Sequence, residues 1–260
     1  MKIIFNKIII KLTIYKNMIS NCFFKPTVIF FYHRVAKVVC DPHKLSVSPE
    51  NFENQLLYLR DNFKIIRLSE LVQILKNKKI IHGLAVITFD DGYVDNFTNA
   101  LPILEKLQIP ATIFVTAGKV GSNEPFYWDE KTDKKDQGRA LTENELRELA
   151  KNSLIEIGAH TMTHPHLATL PPEKQKYEIE GSKKMLENIL GKPVTSFAYP
   201  FGGREEFTQD TIRILESAGF QIACTTIKGK IRNTSLLLTI PRRIIRNWDI
   251  PNFKKYIKNL

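Results

Sequence analysis

A chain of 260 residues with 43% hydrophobic and 25% charged side chains can bury a sizeable core, which excludes wholesale disorder and fits one barrel-sized α/β domain, not two. The net charge of +11 points to an anionic partner or to plain lysine richness, and the scattered basic residues match no nucleic-acid-binding signature. Cys22, Cys40 and Cys224 are far apart and odd in number, so they form neither a disulfide framework nor a metal spacing and favour a reducing compartment.

Residues 1–25 stand apart from the domain expected over 26–260. Lys2, Lys7, Lys11, Lys16 and Lys25 are interspersed with Ile3, Ile4, Phe5, Ile8, Ile9, Ile10, Leu12 and Ile14, and no acid occurs among them. The lysines break the apolar run that a secretory signal needs, and no stretch of ~20 consecutive apolar residues is present to span a membrane. What remains is a basic amphipathic segment, which either lies on an anionic membrane surface or packs on the flank of the domain. The expected location is cytoplasmic, peripheral at the inner face of the membrane.

From Thr27 onward short apolar, β-branched runs alternate with helical patterns. Strands are predicted over 28–32, 64–68, 84–89, 111–116, 154–159, 194–199 and 220–225. Ser48-Pro49-Glu50 opens a helix with serine as N-cap and proline at the first position. The polar stretch 118–139 is too long for a turn and is expected to be an irregular loop. Thr142-Glu143-Asn144-Glu145 is a capping box, and helices over 173–190 and 205–218 end at Gly191 and Gly219. Repeated β-α alternation implies parallel strands with crossover helices, in either an α/β barrel or a doubly wound sheet.

In both architectures functional residues gather at the carboxyl ends of strands. Those ends carry His33-Arg34, Asp90-Asp91, His160-Thr161-Met162-Thr163-His164 and Pro200-Phe201-Gly202-Gly203. Two adjacent carboxylates directly behind a buried run repel each other and are costly unless paired or metal-bound. His160 and His164 lie four apart, so on one helical turn both imidazoles would face the same way, and Pro165 limits that helix to a single turn. With an aspartate from another strand end they make a two-histidine, one-carboxylate set that leaves a coordination position open. A divalent ion there lowers the pKa of water, and the neighbouring carboxylate can take the proton.

Thr88-Phe89-Asp90-Asp91-Gly92, the His160–His164 stretch and Phe197-Ala198-Tyr199-Pro200-Phe201-Gly202 resemble, in order and spacing, the motifs of NodB-homology polysaccharide deacetylases (carbohydrate esterase family 4), over roughly residues 28–245. The resemblance implies a distorted (β/α) barrel of about seven parallel strands. It implies a hydrolase that removes N-acetyl groups from an N-acetylated sugar of a polysaccharide or lipid-linked glycan, using a divalent metal: zinc first, with cobalt, nickel or iron able to occupy the same site. By the same carry-over Asp90 is the general base, Asp91, His160 and His164 bind the metal, and the backbone N–H around Tyr199 helps hold the oxyanion.

Two features depart from the most familiar pattern. The third motif has no arginine to pair with the base, and no histidine follows His166 to protonate the leaving amine. The chain is similar instead to the branch whose first strand ends in Tyr-His, here Tyr32-His33, which assigns the acid role to His33. Arg243, in Pro241-Arg242-Arg243-Ile244, is the candidate to orient Asp90, with Arg242 close behind. The rival functions are an O-acetyl, xylan-type carbohydrate esterase and a non-catalytic carbohydrate-binding barrel. Trp128 is expected either to stack on a sugar or to pack in the core. Asp95 with Asn96 is expected to cap a helix, and His166 to lie at the surface.

Overall fold

The computed structural model describes residues 25–79 and 82–260. The basic segment at 1–25, apart from Lys25, lies outside the described residues. In chain order the strands are β1 (Val28–Tyr32), β2 (Arg34–Val35), β3 (Ser46–Val47), β4 (Lys64–Ile65), β5 (Leu84–Phe89), β6 (Ala111–Val115), β7 (Ile155–Ala159), β8 (Ser196–Ala198), β9 (Ile222–Thr225), β10 (Ile240–Pro241) and β11 (Arg243–Ile244). The helices are α1 (Pro49–Asn62), α2 (Leu68–Lys76), α3 (Leu101–Leu107), α4 (Glu143–Lys151), α5 (Pro172–Lys176), α6 (Ser182–Leu190), α7 (Gln209–Ser217) and α8 (Ile250–Lys258).

The large sheet is parallel throughout and runs β10-β9-β8-β7-β6-β5-β1-β11, with the short β4 paired beside β5. Its two outer members, β10 and β11, are consecutive pieces of chain separated only by Arg242. Residues 240–244 therefore act as one stave that lies against β9 at its start and β1 at its end, and the sheet is a nearly closed barrel of eight strands in which β10 and β11 share one stave. This is the barrel expected from the sequence. The stave at 240–244 was not among the predicted strands, because five residues with a proline at the second position carry too little strand signal. The 64–68 run shortens to two residues, since Leu68 already belongs to α2.

Strands buried on both faces read as unbroken apolar runs, but their side chains still alternate. Leu84 and Val86 of β5 join an inner core with Ile29, Phe114, Ala198, Ile222, Cys224 and Ile240. Ala85, Ile87 and Phe89 join the outer core, where the strands meet the surrounding helices. The apolar face of α2, with Leu68, Leu71, Val72 and Leu75, packs on the inner cluster. The sequence-predicted caps are in place: Ser48 Oγ accepts the Asn51 N–H at 3.2 Å, and Thr142 and Glu145 bond reciprocally.

The helix predicted over 173–190 contains an unpredicted irregularity. A π-helical turn at Tyr177–Gly181 separates α5 from α6, and a second, at Asn96–Ala100, leads into α3. Such turns often mark functional sites because they re-aim a side chain within a continuous helix, and both contribute to the site described next.

Candidate active site

The barrel parity carries past the last residue of each strand. After Leu84, Val86 and Thr88, Asp90 is the next side chain to point into the barrel mouth. Asp91 then takes a left-handed backbone, φ 74°, and Gly92 continues at φ 80°. A Cβ at Gly92 would lie 3.1 Å from Val115, so this reversal needs glycine. The turn brings Asp91 back towards His160 and His164, whose Nε2 atoms lie 3.5 and 3.6 Å from Asp91 Oδ1. All three residues are buried, and one ligand atom from each falls within 4.8 Å of the others.

The two histidines meet, but not on the helical turn that their spacing predicted. Thr161 and His164 are both left-handed, at φ 66° and 61°, conformations that cost energy in non-glycine residues and persist where the surroundings enforce them. Here the enforcement comes from Glu178 in the π turn. Its carboxylate accepts the N–H groups of Met162 and Thr163 at 2.8 and 2.9 Å and the Thr163 hydroxyl at 2.8 Å. Thr161 Oγ1 accepts the His164 N–H at 3.0 Å. Gly118 donates its N–H to the Met162 carbonyl, at a separation where an added Cβ would sit 2.6 Å from that oxygen. Nothing in the spacing of Glu178 pointed to this role.

His160 Nδ1 lies 2.7 Å from the Ala198 carbonyl, which selects the tautomer that leaves Nε2 facing Asp91. Burial opposes charge on Asp91, but His160, with Nε2 3.5 Å from Oδ1, and the other nearby histidines hold its pKa down at about 2. Burial, joined by His160, pushes His164 down to about 3. Asp91 Oδ1 and His164 Nδ1 are buried without a hydrogen-bond partner among the described residues. A deprotonated carboxylate and a neutral imidazole with open donor atoms, beside an oriented second imidazole, fit a divalent cation. Two nitrogens and one oxygen suit zinc and its first-row neighbours.

Asp90 is paired, though not by Arg243. Arg242 is 1% exposed and donates to Asp90 Oδ1 and Oδ2, both at 2.7 Å, and to Thr88 Oγ1 at 3.2 Å. Its guanidinium also lies over Phe31 and Phe114, 4.5 and 5.4 Å from the ring centroids. Arg243 shares register with Phe30, a residue of the outer core, and its guanidinium reaches the Gly229 carbonyl. Alternation along the closing stave thus corrects the expectation in favour of Arg242. Burial by itself would raise the pKa of Asp90, and Arg242 brings it below the ordinary carboxylate value.

Tyr199 is also corrected as an oxyanion donor. Its N–H is spent on the Cys224 carbonyl, and its hydroxyl bonds the Leu238 carbonyl at 2.8 Å. Pro200 has no N–H, whereas Phe201, at φ 59°, has an N–H that donates to nothing among the described residues. Phe201 lines the same pocket of 480 Å³ as His33, Asp90, Asp91, His160 and His164. His33 is half-buried at the end of β1, with its carbonyl held by Asn96 Nδ2 at 2.8 Å. Burial lowers its pKa against the pull of Asp91 and Asp90.

Trp128 is half-buried in the pocket wall, its ring centroid 4.6 Å from that of His164 and its Nε1 2.7 Å from the Tyr93 hydroxyl. Asp95 does not cap the following helix. It accepts from Arg34 Nε at 2.9 Å and from the Val35 N–H at 3.0 Å, tying the segment after His33 to the π turn. His166 is exposed, as expected, and stacks on Phe201 with centroids 3.9 Å apart.

The chain is similar to known polysaccharide deacetylases. The family model described as polysaccharide deacetylase matches residues 77–223. The chain is 30% identical over 235 residues to "Putative polysaccharide deacetylase YxkH" of Bacillus subtilis, covering 89% of this chain and 76% of that one. It is 28% identical over 222 residues to poly-beta-1,6-N-acetyl-D-glucosamine N-deacetylase of Staphylococcus aureus, covering 78% and 72%. Among solved structures, the polysaccharide deacetylase BC0361 of Bacillus cereus superposes with a TM-score of 0.73 at 26% identity, over 90% of this chain and 69% of that one.

Proposed function

The chain belongs to the polysaccharide deacetylase family, and on that premise we propose that it hydrolyses the acetamido group of an N-acetylglucosamine-type sugar in a glycan, releasing acetate and a free amino sugar. The observation that carries this reading is the Arg242-paired Asp90 beside the Asp91–His160–His164 cluster in one barrel mouth. N-acetyl rather than O-acetyl substrates are favoured by similarity to the staphylococcal N-deacetylase. Asp91, His160 and His164 would hold a divalent ion, which would supply Lewis acidity and lower the pKa of water towards neutrality.

The chain's own residues do the rest. Asp90, kept ionised by Arg242, takes the proton from the attacking water. The free N–H of Phe201 faces the developing oxyanion. His33, which lines the same pocket, gives a proton to the departing amine from its protonated form. The purified protein is expected to contain one zinc per chain and to release acetate from N-acetylglucosamine oligomers. Chelation should stop the release and zinc should restore it. Acetate from O-acetylated xylan alone would overturn the amide assignment, and full metal with no acetate from either would favour a binding barrel.

The acid role of His33 has its own measurement. His33→Gln is expected to slow hydrolysis of the acetamido sugar by about a hundredfold. Hydrolysis of 4-nitrophenyl acetate, whose leaving group needs no proton, should change only a few-fold. Equal losses on both substrates would assign His33 to binding. For location, we propose peripheral attachment at the inner membrane face through residues 1–24, carried by their charge pattern alone. Deleting them should abolish co-sedimentation with anionic vesicles and spare acetate release from soluble oligomers. Undiminished co-sedimentation would reject the attachment.

A further inference from the structure

The deacetylation proposed above leaves several cations of the pocket without a task. Lys228, in the loop after β9, Arg243 on β11 and Arg246 just beyond it line the pocket that holds Asp90 and Asp91. Arg243 donates to the Gly229 carbonyl at 3.3 Å. Arg246 donates to the carbonyls of His43 and Lys44. Both are therefore positioned by backbone. Among the described residues, none of the three makes an ion pair, in contrast to Arg242 with Asp90.

Among the described residues, the acids lining the pocket are Asp90 and Asp91, against Lys228, Arg242, Arg243 and Arg246. Asp90 is already neutralised by Arg242, and a divalent ion would more than neutralise Asp91. The remaining three cations come from one side of the barrel closure: Lys228 from the loop after β9, Arg243 from the outward face of the stave at the pocket rim, and Arg246 just beyond it. A neutral acetamido sugar gives them nothing to pair with, and an amine product, protonated below about pH 8, is repelled by them. An anion on the glycan would satisfy both the wall and the product. Guanidinium and ammonium groups recognise phosphoryl and carboxylate oxygens through charge-assisted hydrogen bonds, which gain strength in a partly enclosed site.

Given that deacetylation, we propose that Lys228, Arg243 and Arg246 form an anion subsite, and that the preferred substrate carries a phosphoryl or carboxyl group close to the acetamido sugar. The test compares three soluble probes: the N-acetylglucosamine tetramer, its 1-phosphate and its aldonic acid. An anionic tetramer is expected to exceed the neutral one in kcat/KM by about tenfold, mainly through KM, and the gap should close as salt is raised. The Lys228→Gln/Arg243→Gln double variant should bring the ratio close to one. Which of the two anions gains more identifies the substituent.

Equal kcat/KM for all three probes overturns the subsite and leaves deacetylation standing. So does a preference that survives the double substitution. Absence of acetate from every probe, with metal bound, overturns deacetylation instead. In that event calorimetry with the tetramer 1-phosphate still decides the wall: binding about tenfold weaker in the double variant supports it, and unchanged binding rejects it.

Discussion

Asp90→Asn is expected to abolish acetate release while the protein keeps its metal. The substitution preserves shape and one acceptor for Arg242 but removes the carboxylate proposed to take a proton from the attacking water. A positioned general base contributes about 10²–10⁴ in rate, so turnover should fall at least into that range. Metal content should stay at the wild-type level, because Asp91, His160 and His164 are untouched and already within one ion's reach of each other. The change also leaves the buried Arg242 without its counter-charge, so a fall in thermal stability should accompany it. Activity and metal are therefore compared well below the variant's own Tm. Wild-type acetate release from Asp90→Asn would remove Asp90 as the base, and loss of metal would move Asp90 into the ligand set.

Arg242→Gln should be the most damaging single change to stability within the barrel mouth. Removing one partner of a buried, bidentate ion pair leaves an uncompensated charge, at a cost of about 3–5 kcal/mol. The sign with pH follows from Asp90. In the wild type its pKa is depressed, so the pair contributes stability above the unfolded carboxylate pKa of about 4 and loses it as pH falls through the folded value. Without Arg242, burial governs and the carboxyl holds its proton to higher pH. The stability deficit should then be largest near neutrality and shrink in acid, and the acid limb of kcat/KM should move upward. Urea melts and a pH–rate profile measure the two effects. Arg243→Gln, whose side chain bonds Gly229, should leave the acid limb in place. A shift of the limb in Arg243→Gln but not in Arg242→Gln would reverse the assignment.

Much of this was legible along the chain because it depends on local pattern. The apolar runs gave the long strands, and the Ser48 and Thr142 signals gave helix starts that the structure retains. Asp90-Asp91 after β5 and His160 with His164 after β7 stand at carboxyl ends of parallel strands, which places them on one rim. The losses also have physical causes. The stave at 240–244 forms only because two strands, β9 and β1, present free edges to it, so its pairing is invisible in its own residues. Arg242 and Arg243 could not be told apart until that stave fixed the inward parity. The i, i+4 spacing of the histidines suggested a helical turn, but Glu178 and the close approach at Gly118 hold a strained bend instead.

The sequence by itself determined an α/β chain of parallel strands and gathered Asp and His at strand ends, because strand period, capping chemistry and composition are properties of neighbouring residues, while the barrel and the separate roles of Asp90 and Asp91 were read from the family resemblance. Tertiary structure alone decided which arginine holds Asp90, that the Tyr199 N–H is already spent while that of Phe201 is free, and that two π turns supply the supports of His33 and His164. Each of those outcomes depends on contacts between residues far apart in sequence, where closing the barrel sets distance and direction and local propensity carries no information.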